Sequence, residues 1–343
     1  MKALILREYN DLSYEDVPEP EYGPDDVLIR IRACGICGSD IHGMDGSTGR
    51  RIPPIIMGHE ASGVIAAVGA NVKNWAKGDR VTFDSTVYPL DDWYTRKGLY
   101  NLSDDRMVLG VSCGDYRRHG AFADYLAVPR HILYRVPEKV SFEQAAMVEP
   151  VAVALHAIKL TPIYLNDAAV VVGAGMIGLF IIQQLKTAGC GKIIAVDIEQ
   201  DKLDLALKMG ADFGLNPSEC DVPEAVTQLT ENRGADIAFE VVGVEAAVNC
   251  AVKSVRKGAT VTLVGNAIPD VVFPFQQVVT RQLRLQGSCA ICGEYETVLD
   301  MIDKGKVNTD VILSATAPLS EGASWFHRLH KKEKGLMKVV LIP

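Results

Sequence analysis

From residue 1 to about residue 140 the apolar positions come in short runs broken by turn residues, with no sustained helical spacing. Val27-Leu28-Ile29-Arg30-Ile31-Arg32 and Gly63-Val64-Ile65-Ala66-Ala67-Val68 are apolar, β-branched and bounded by Gly, Pro or Asp, which predicts strands. Gly78-Asp79 is a turn entering a further strand at Arg80-Val81-Thr82-Phe83. The pattern changes at Ser141-Phe142-Glu143-Gln144, a capping box that opens a helix. That helix is expected to falter at Glu149, because a residue before proline is disfavoured in the α region. Pro150 then suits the first turn of a second helix running through His156. Glu149 is thereby expected at a break, where its carboxylate can be aimed into a cleft.

From 168 to about 289 strand and helix alternate. Strands are expected at 168–172, 192–197, 237–242, 259–264 and 283–287, with helices such as 200–209 and 244–255 between them. Such alternation implies an α/β fold, a doubly wound parallel sheet with helices on both faces. The last stretch is mixed and ends in a strand, 337–342, expected to pair back onto the first domain. The resulting division is a discontinuous, mostly-β domain of 1–150 with 290–343, and a dinucleotide-type domain of 151–289.

A chain of 343 residues suits two domains. Its formal net charge of -8 argues against a nucleic-acid partner. The longest run without a strongly polar residue, 168–182, is too short for a membrane span and holds three glycines. No basic region followed by a long apolar stretch opens the sequence, so a cytoplasmic protein without a signal peptide is expected. Eight cysteines in a chain of this size make no dense disulfide framework, which leaves thiolates free for metal.

Two motifs carry chemistry. Val170-Val171-Val172 runs into Gly173-Ala174-Gly175-Met176-Ile177-Gly178 and then an apolar helix. Gly173 allows the tight turn, Gly175 lets backbone approach a pyrophosphate, and Gly178 permits close helix–strand packing. The pyrophosphate would rest on the helix N-terminus, where free N–H groups favour negative charge. Asp197 closes the next strand and can accept from ribose hydroxyls, while a 2′-phosphate there would meet like charge, so NAD is expected over NADP. Met176, Ile177 and Lys202 complete the candidate cofactor residues.

The second motif is Cys34-Gly35-Ile36-Cys37-Gly38-Ser39-Asp40-Ile41-His42 with Gly58-His59-Glu60. Thiolate, imidazole and carboxylate form a zinc-type donor set, and a catalytic zinc keeps one position open. Zinc can lower the pKa of a bound water to about 7, and should act comparably on an alcohol hydroxyl. The Cys34–Cys37 spacing also fits a redox pair, but the βαβ context for one is absent, and Cys34 is expected to be a packing cysteine. Cys289-Ala290-Ile291-Cys292 is a second such spacing, read as two buried thiols.

Gly58-His59-Glu60-Ala61-Ser62-Gly63 with Gly69 and Val72, and Cys37-Gly38-Ser39-Asp40-Ile41-His42, resemble the signatures of zinc-containing medium-chain alcohol dehydrogenases. Glu149-Pro150 is similar to the later acidic position of that family's polyol members, such as sorbitol and galactitol-phosphate dehydrogenases, with threonine dehydrogenases close by. The resemblance covers essentially the whole chain. It implies a GroES-like first domain, and a zinc site of Cys37, His59, Glu60 and Glu149, with Glu149 bound directly or through water. It implies that Ser39 takes the substrate proton and that His42 passes protons towards solvent through the nicotinamide ribose. The activity implied is oxidation of a small secondary alcohol, with a homodimer or homotetramer as the assembly.

Two departures qualify this. The family's structural-zinc cysteines correspond to Pro89, Asp92, Thr95 and Ser103, none a thiol, so no structural zinc is expected, and Tyr88, Trp93, Tyr94 and Tyr100 are expected to hold that lobe by packing. The Arg-Tyr pair of sorbitol-type enzymes corresponds to Ala290 and Ile291, which counts against sorbitol itself. Arg117-Arg118-His119 offers a phosphate-binding possibility beside the plainer one of a solvated loop. The rivals are a zinc-free medium-chain NADPH reductase and a non-catalytic NAD-binding protein.

Overall fold

The computed structural model describes residues 1–111 and 118–343. They form two compact units, Met1–Glu149 with Ile291–Pro343, and Pro150–Ala290.

The first unit is mostly β. Its larger sheet runs Leu133–Arg135, Arg80–Phe83, Glu60–Val68, Asp26–Gly35, Lys338–Ile342, Leu313–Pro318, with Tyr125–Pro129 also paired to Asp26–Gly35. Along Asp26–Gly35 the buried Ile29 and Ile31 flank an exposed Arg30, the period of two that puts alternate side chains into the core. There they meet Phe83, Phe122, Phe326 and Leu341. The late strand Lys338–Ile342 lies antiparallel to the early one, Val340 opposite Gly35 and Leu341 opposite Cys34. A short helix, Gly38–Met44, sits where the sequence shows no helical spacing. It is a two-turn segment in which only Ile41 and Met44 face the core, too short a stripe to announce a helix.

The second unit carries a six-stranded parallel sheet ordered Phe213–Leu215, Lys192–Val196, Ala168–Val172, Ala235–Glu240, Val255–Leu263, Arg284–Gly287. This is the doubly wound order of dinucleotide-binding folds, with a crevice expected where the order reverses at Ala168–Val172. All five residues of that strand are buried, which is why it reads as a continuous apolar run.

Three local expectations are corrected. The helix break falls at Met147, two residues before Glu149, which lies instead in the first turn of the helix Val148–Leu160 with Pro150 beside it. Proline in a first turn removes only an N–H that has no helical partner. The strand expected at 237–242 is Ala235–Glu240, because the Glu240 carboxylate accepts from Val242 N and Gly243 N and draws them out of the ladder. The strand expected from 259 begins at Val255, hidden by the polar turn-like Lys257-Gly258. Among the described residues no helix is long and apolar enough to cross a membrane.

Candidate functional site

The strand Asp26–Gly35 ends at the metal-type residues. Ile36 N donates to Val339 O at 2.9 Å, anchoring the turn to the late strand. Cys37 then caps the helix Gly38–Met44, its N–H donating to Asp40 Oδ2 at 3.2 Å. His59 and Glu60 arrive at the start of the strand Glu60–Val68. One donor atom each from Cys37, His59 and Glu60 lie within 4.8 Å of one another. Tetrahedral zinc with these donors needs separations of about 3.4–3.8 Å, so modest side-chain adjustment suffices.

The fit is chemical as well. Glu60 is fully buried, and its Oε1 has no hydrogen-bond partner. Its Oε2 is held by Lys338, a wholly buried ammonium that also donates to Ile36 O at 3.0 Å. Burial alone would discharge this lysine, but Glu60 and Cys37 outweigh it and hold the pKa above the ordinary value. His59 Nδ1 stands 3.3 Å from Asp40 Oδ1, off the line of a hydrogen bond. Burial pulls the His59 pKa down, and the charge of Asp40, with Cys37 beside the ring, more than reverses it, to well above 6.5. Asp40 goes the other way: burial pushes its carboxyl up, but His59, Arg51 and the Cys37 N–H bring it to about 2. An orphaned buried carboxylate oxygen, a thiol and an imidazole facing one another suit a divalent cation.

The structure leaves Glu149 outside that cluster, within electrostatic reach of His59 and Glu60. Burial pushes its carboxyl up to about 7, while His59 and Lys338 pull against that. Ser39 Oγ donates to Cys37 Sγ at 3.3 Å and accepts from Arg51 Nη2 at 3.0 Å. His42, three residues on along the same helix, is 60 % exposed, with Nδ1 3.9 Å from Asp45 Oδ2. Cys34 is buried, and burial pushes its thiol up, in keeping with a packing role. The seven described cysteines carry no disulfide. Cys292 is half-buried and donates to Gly98 O at 3.0 Å, whereas Cys289 is exposed rather than buried.

The lobe corresponding to the family's second metal site is closed by hydrogen bonds. Asp92 accepts from Thr95 N at 2.6 Å and from Ser103 Oγ, so three of the four cysteine-equivalent positions join one another directly. Tyr88 stacks on Tyr100 with ring centroids 4.1 Å apart, and Tyr100 OH donates to buried Asp84 at 2.7 Å. Trp93 meets Tyr94 edge-on but is 65 % exposed. Arg118 and His119 are tied back to the backbone of Ala127 and Ile56, and Arg117 lies outside the described residues.

In the second unit Gly173 has φ +103°, and a Cβ on Gly178 would overlap Gly173 O. Around Gly175 there is open space, at the N-cap of the helix Met176–Ala188 where Met176 and Ile177 are half-buried. Asp197 is oriented by two backbone donors, Ala174 N on Oδ2 at 2.8 Å and Glu199 N on Oδ1 at 3.0 Å. A carboxylate has about four lone-pair sites, so capacity for ribose hydroxyls remains. Lys202 is paired with Glu199 at 2.6 Å. Asp40, Arg51 and Lys338 have no role assigned from sequence. Asp40 stands inside the quoted motif, but Lys338 is 278 positions from Glu60 and no spacing rule connects them.

A thiolate–imidazole–carboxylate set on a β-rich unit, in one chain with a doubly wound dinucleotide fold, defines a metal-assisted, nicotinamide-dependent oxidoreductase. The chain belongs to the zinc-containing alcohol dehydrogenase family. Residues 23–138 match the alcohol dehydrogenase GroES-like domain, and residues 177–304 match the zinc-binding dehydrogenase domain. It is 32% identical to sorbitol dehydrogenase of Bacillus subtilis strain 168 over 350 residues, covering 100% of this chain and 97% of the relative. Galactitol-1-phosphate dehydrogenase from Escherichia coli superposes with a TM-score of 0.93 at 29% identity over 100% of both chains. A zinc-binding dehydrogenase structure from Sinorhizobium meliloti 1021, bound to NADP, gives 0.92 at 29% identity over 100% of this chain and 99% of that one.

Proposed function

We propose that this chain oxidises a secondary alcohol of the polyol or sugar-alcohol class to a ketone, passing hydride to NAD with one zinc per chain. The observation that carries this is the buried Cys37, His59, Glu60 set with its orphaned Glu60 oxygen. Bound there, zinc supplies the Lewis acidity that acidifies an alcohol hydroxyl, and bound nicotinamide supplies the hydride acceptor. The protein's own groups do the rest. Asp40 orients His59, and Lys338 balances Glu60. Ser39 lies beside Cys37, placed to receive the proton of the alcohol, and exposed His42 on the same helix delivers it to solvent. Glu149, whose carboxyl burial pushes up, would join the metal directly or through water.

The pinned Asp197 carboxylate favours NAD over NADP, because a 2′-phosphate would bring like charge against it. Ala290 and Ile291, where sorbitol-type enzymes carry an Arg-Tyr pair, count against sorbitol itself and leave the other polyols and sugar alcohols as the substrate class. We also infer a cytoplasmic homodimer or homotetramer, with the outer edge of the strand Arg284–Gly287 available for pairing.

The test is a panel of sugar alcohols, sugar-alcohol phosphates, butanediol and threonine, scored by NADH and NADPH formation beside elemental analysis. One zinc per chain, and NAD-dependent turnover of at least one polyol at tenfold or more above its rate with NADP, is the expected result. Metal-loaded protein inert towards every alcohol would sink the assignment, and two zincs per chain would sink its single-metal part.

A further inference from the structure

Arg51 is 2 % exposed, far more buried than an arginine ordinarily is, and it sits within the metal centre. One of its nitrogens, Nη2, is 3.0 Å from Asp40 Oδ1 and 3.0 Å from Ser39 Oγ. Asp40 Oδ1 in turn lies 3.3 Å from His59 Nδ1, and Ser39 Oγ donates to Cys37 Sγ at 3.3 Å. A run of hydrogen bonds therefore leaves one candidate ligand, Cys37, and passes through Ser39 and Arg51 to Asp40, whose carboxylate meets the other, His59, in a charge contact. The fold makes room for it: a Cβ on Gly43 would come within 2.6 Å of Arg51 Cδ, so the side chain passes over a glycine in the helix that carries Ser39.

Resting on the assignment of Cys37 and His59 as ligands and Ser39 as proton acceptor, we propose that Arg51 is a positioning residue. It couples the orientation of the metal's histidine to the proton-relay state of Ser39. A serine hydroxyl has one proton and two lone pairs. Donation from Arg51 occupies one lone pair and the O–H faces Cys37 Sγ, which leaves one lone pair open; once a metal takes up Cys37, that O–H is released for the relay. Ser39 is thereby set to accept the alcohol's proton while its own proton departs towards the relay that ends at His42, with no net change on the serine. The same guanidinium fixes Asp40, which holds His59. Without Arg51 the buried Asp40 carboxylate loses its permanent cation, and Ser39 is free to turn its O–H away from productive geometry.

Two variants and two probes separate this from a merely structural role. Arg51→Met removes both bonds. Arg51→Lys restores the charge but ends one bond short, so it lengthens both contacts. Zinc affinity is read by competition with a chromophoric chelator, and the metal's surroundings by the thiolate-to-metal absorption band after loading with cobalt(II) alone. Neither depends on turnover. We expect Arg51→Met to lose 10–100-fold in zinc affinity, the range typical of groups that support metal ligands, and to shift the cobalt band. Arg51→Lys should recover metal affinity to within a few-fold, with kcat still reduced tenfold or more, KM little changed, and a raised solvent isotope effect on kcat. Where Arg51→Met does not fold, Arg51→Lys alone decides. Wild-type zinc affinity, cobalt spectrum and isotope effect in every folded variant would overturn the role of Arg51, as would equal loss of every property together with the melting temperature. Wild-type protein that binds zinc and gives the cobalt band yet oxidises no alcohol would instead strike the proposed function, leaving the metal half of this inference standing on its own readouts.

Discussion

Asp84 shows how one buried side chain ties the lobe to acidity. It is 1 % exposed and accepts from Tyr100 OH and from Thr86 N at 2.9 Å. Burial nevertheless dominates those bonds and raises its carboxyl from 3.8 to about 6, with Glu294 adding repulsion. Between those two values the folded chain keeps a proton that the unfolded chain has lost. Stability therefore rises as pH falls from about 6 towards 3.8, and the cost of ionising Asp84 is fully present above the upper value. A shift of this size corresponds to a cost on the order of 2–3 kcal/mol. Asp84→Asn, which cannot ionise, should flatten that segment of the stability profile in denaturant melts between pH 4 and pH 7. A slope identical to the parent's would show that Asp84 does not set it. At this scale the sequence exposed the chemistry only where short motifs concentrate it. Cys37, His59 and Glu60 stand in two such motifs, whereas Asp84, Arg51 and Lys338 owe their meaning to burial, which a single sequence does not display.

Among elements, the tyrosine-rich lobe makes the plainest substitution of one physics for another. Four thiolates around a metal would cross-link the loop. Here the Asp92 carboxylate gathers Thr95 N and Ser103 Oγ, and the Tyr88–Tyr100 stack adds apolar contact. Charge-assisted hydrogen bonds to a carboxylate are stronger than neutral ones but open readily when exposed to water. Asp92→Ala should therefore speed hydrogen exchange across 88–103 by tenfold or more while leaving zinc content unchanged. Loss of the bound zinc in this variant would show that the lobe holds metal after all. The strand–helix alternation of 168–289 was legible because a sheet buried on both faces must be apolar throughout, as Ala168–Val172 is. The helix Gly38–Met44 was not legible. Only Ile41 and Met44 of its seven residues pack on the core, too few to set up the periodicity that identifies helices.

For the molecule as a whole, the candidate metal donors and the glycine-rich loop lie on different stretches of chain, each with its own core. The donor set belongs to Met1–Glu149 with Ile291–Pro343, and the Gly173–Gly178 loop with Asp197 belongs to Pro150–Ala290. The second unit's sheet is complete in itself, with Val170, Ile194, Ala238 and Val261 in one apolar cluster. Stripping zinc with a chelator should abolish alcohol oxidation yet leave the dissociation constant for NAD within about threefold, by titration calorimetry of stripped and reloaded protein. A collapse of NAD binding on metal removal would mean that the nucleotide site depends on the metal.

Lys338 gives this arrangement a consequence in time. The cation that meets Glu60 is encoded 278 positions later, on the far side of the whole nucleotide-binding stretch. At about 5–20 residues per second a ribosome takes roughly 15–55 s to cover that distance. For that interval the nascent first segment carries a carboxylate destined for a dry interior with its native counter-charge not yet made. The Cys37, His59 and Glu60 cluster reaches its charge balance only when the strand Lys338–Ile342 pairs beside Cys34 and Gly35. Charge balance at this site thus has to wait for the nucleotide-binding stretch to be made first.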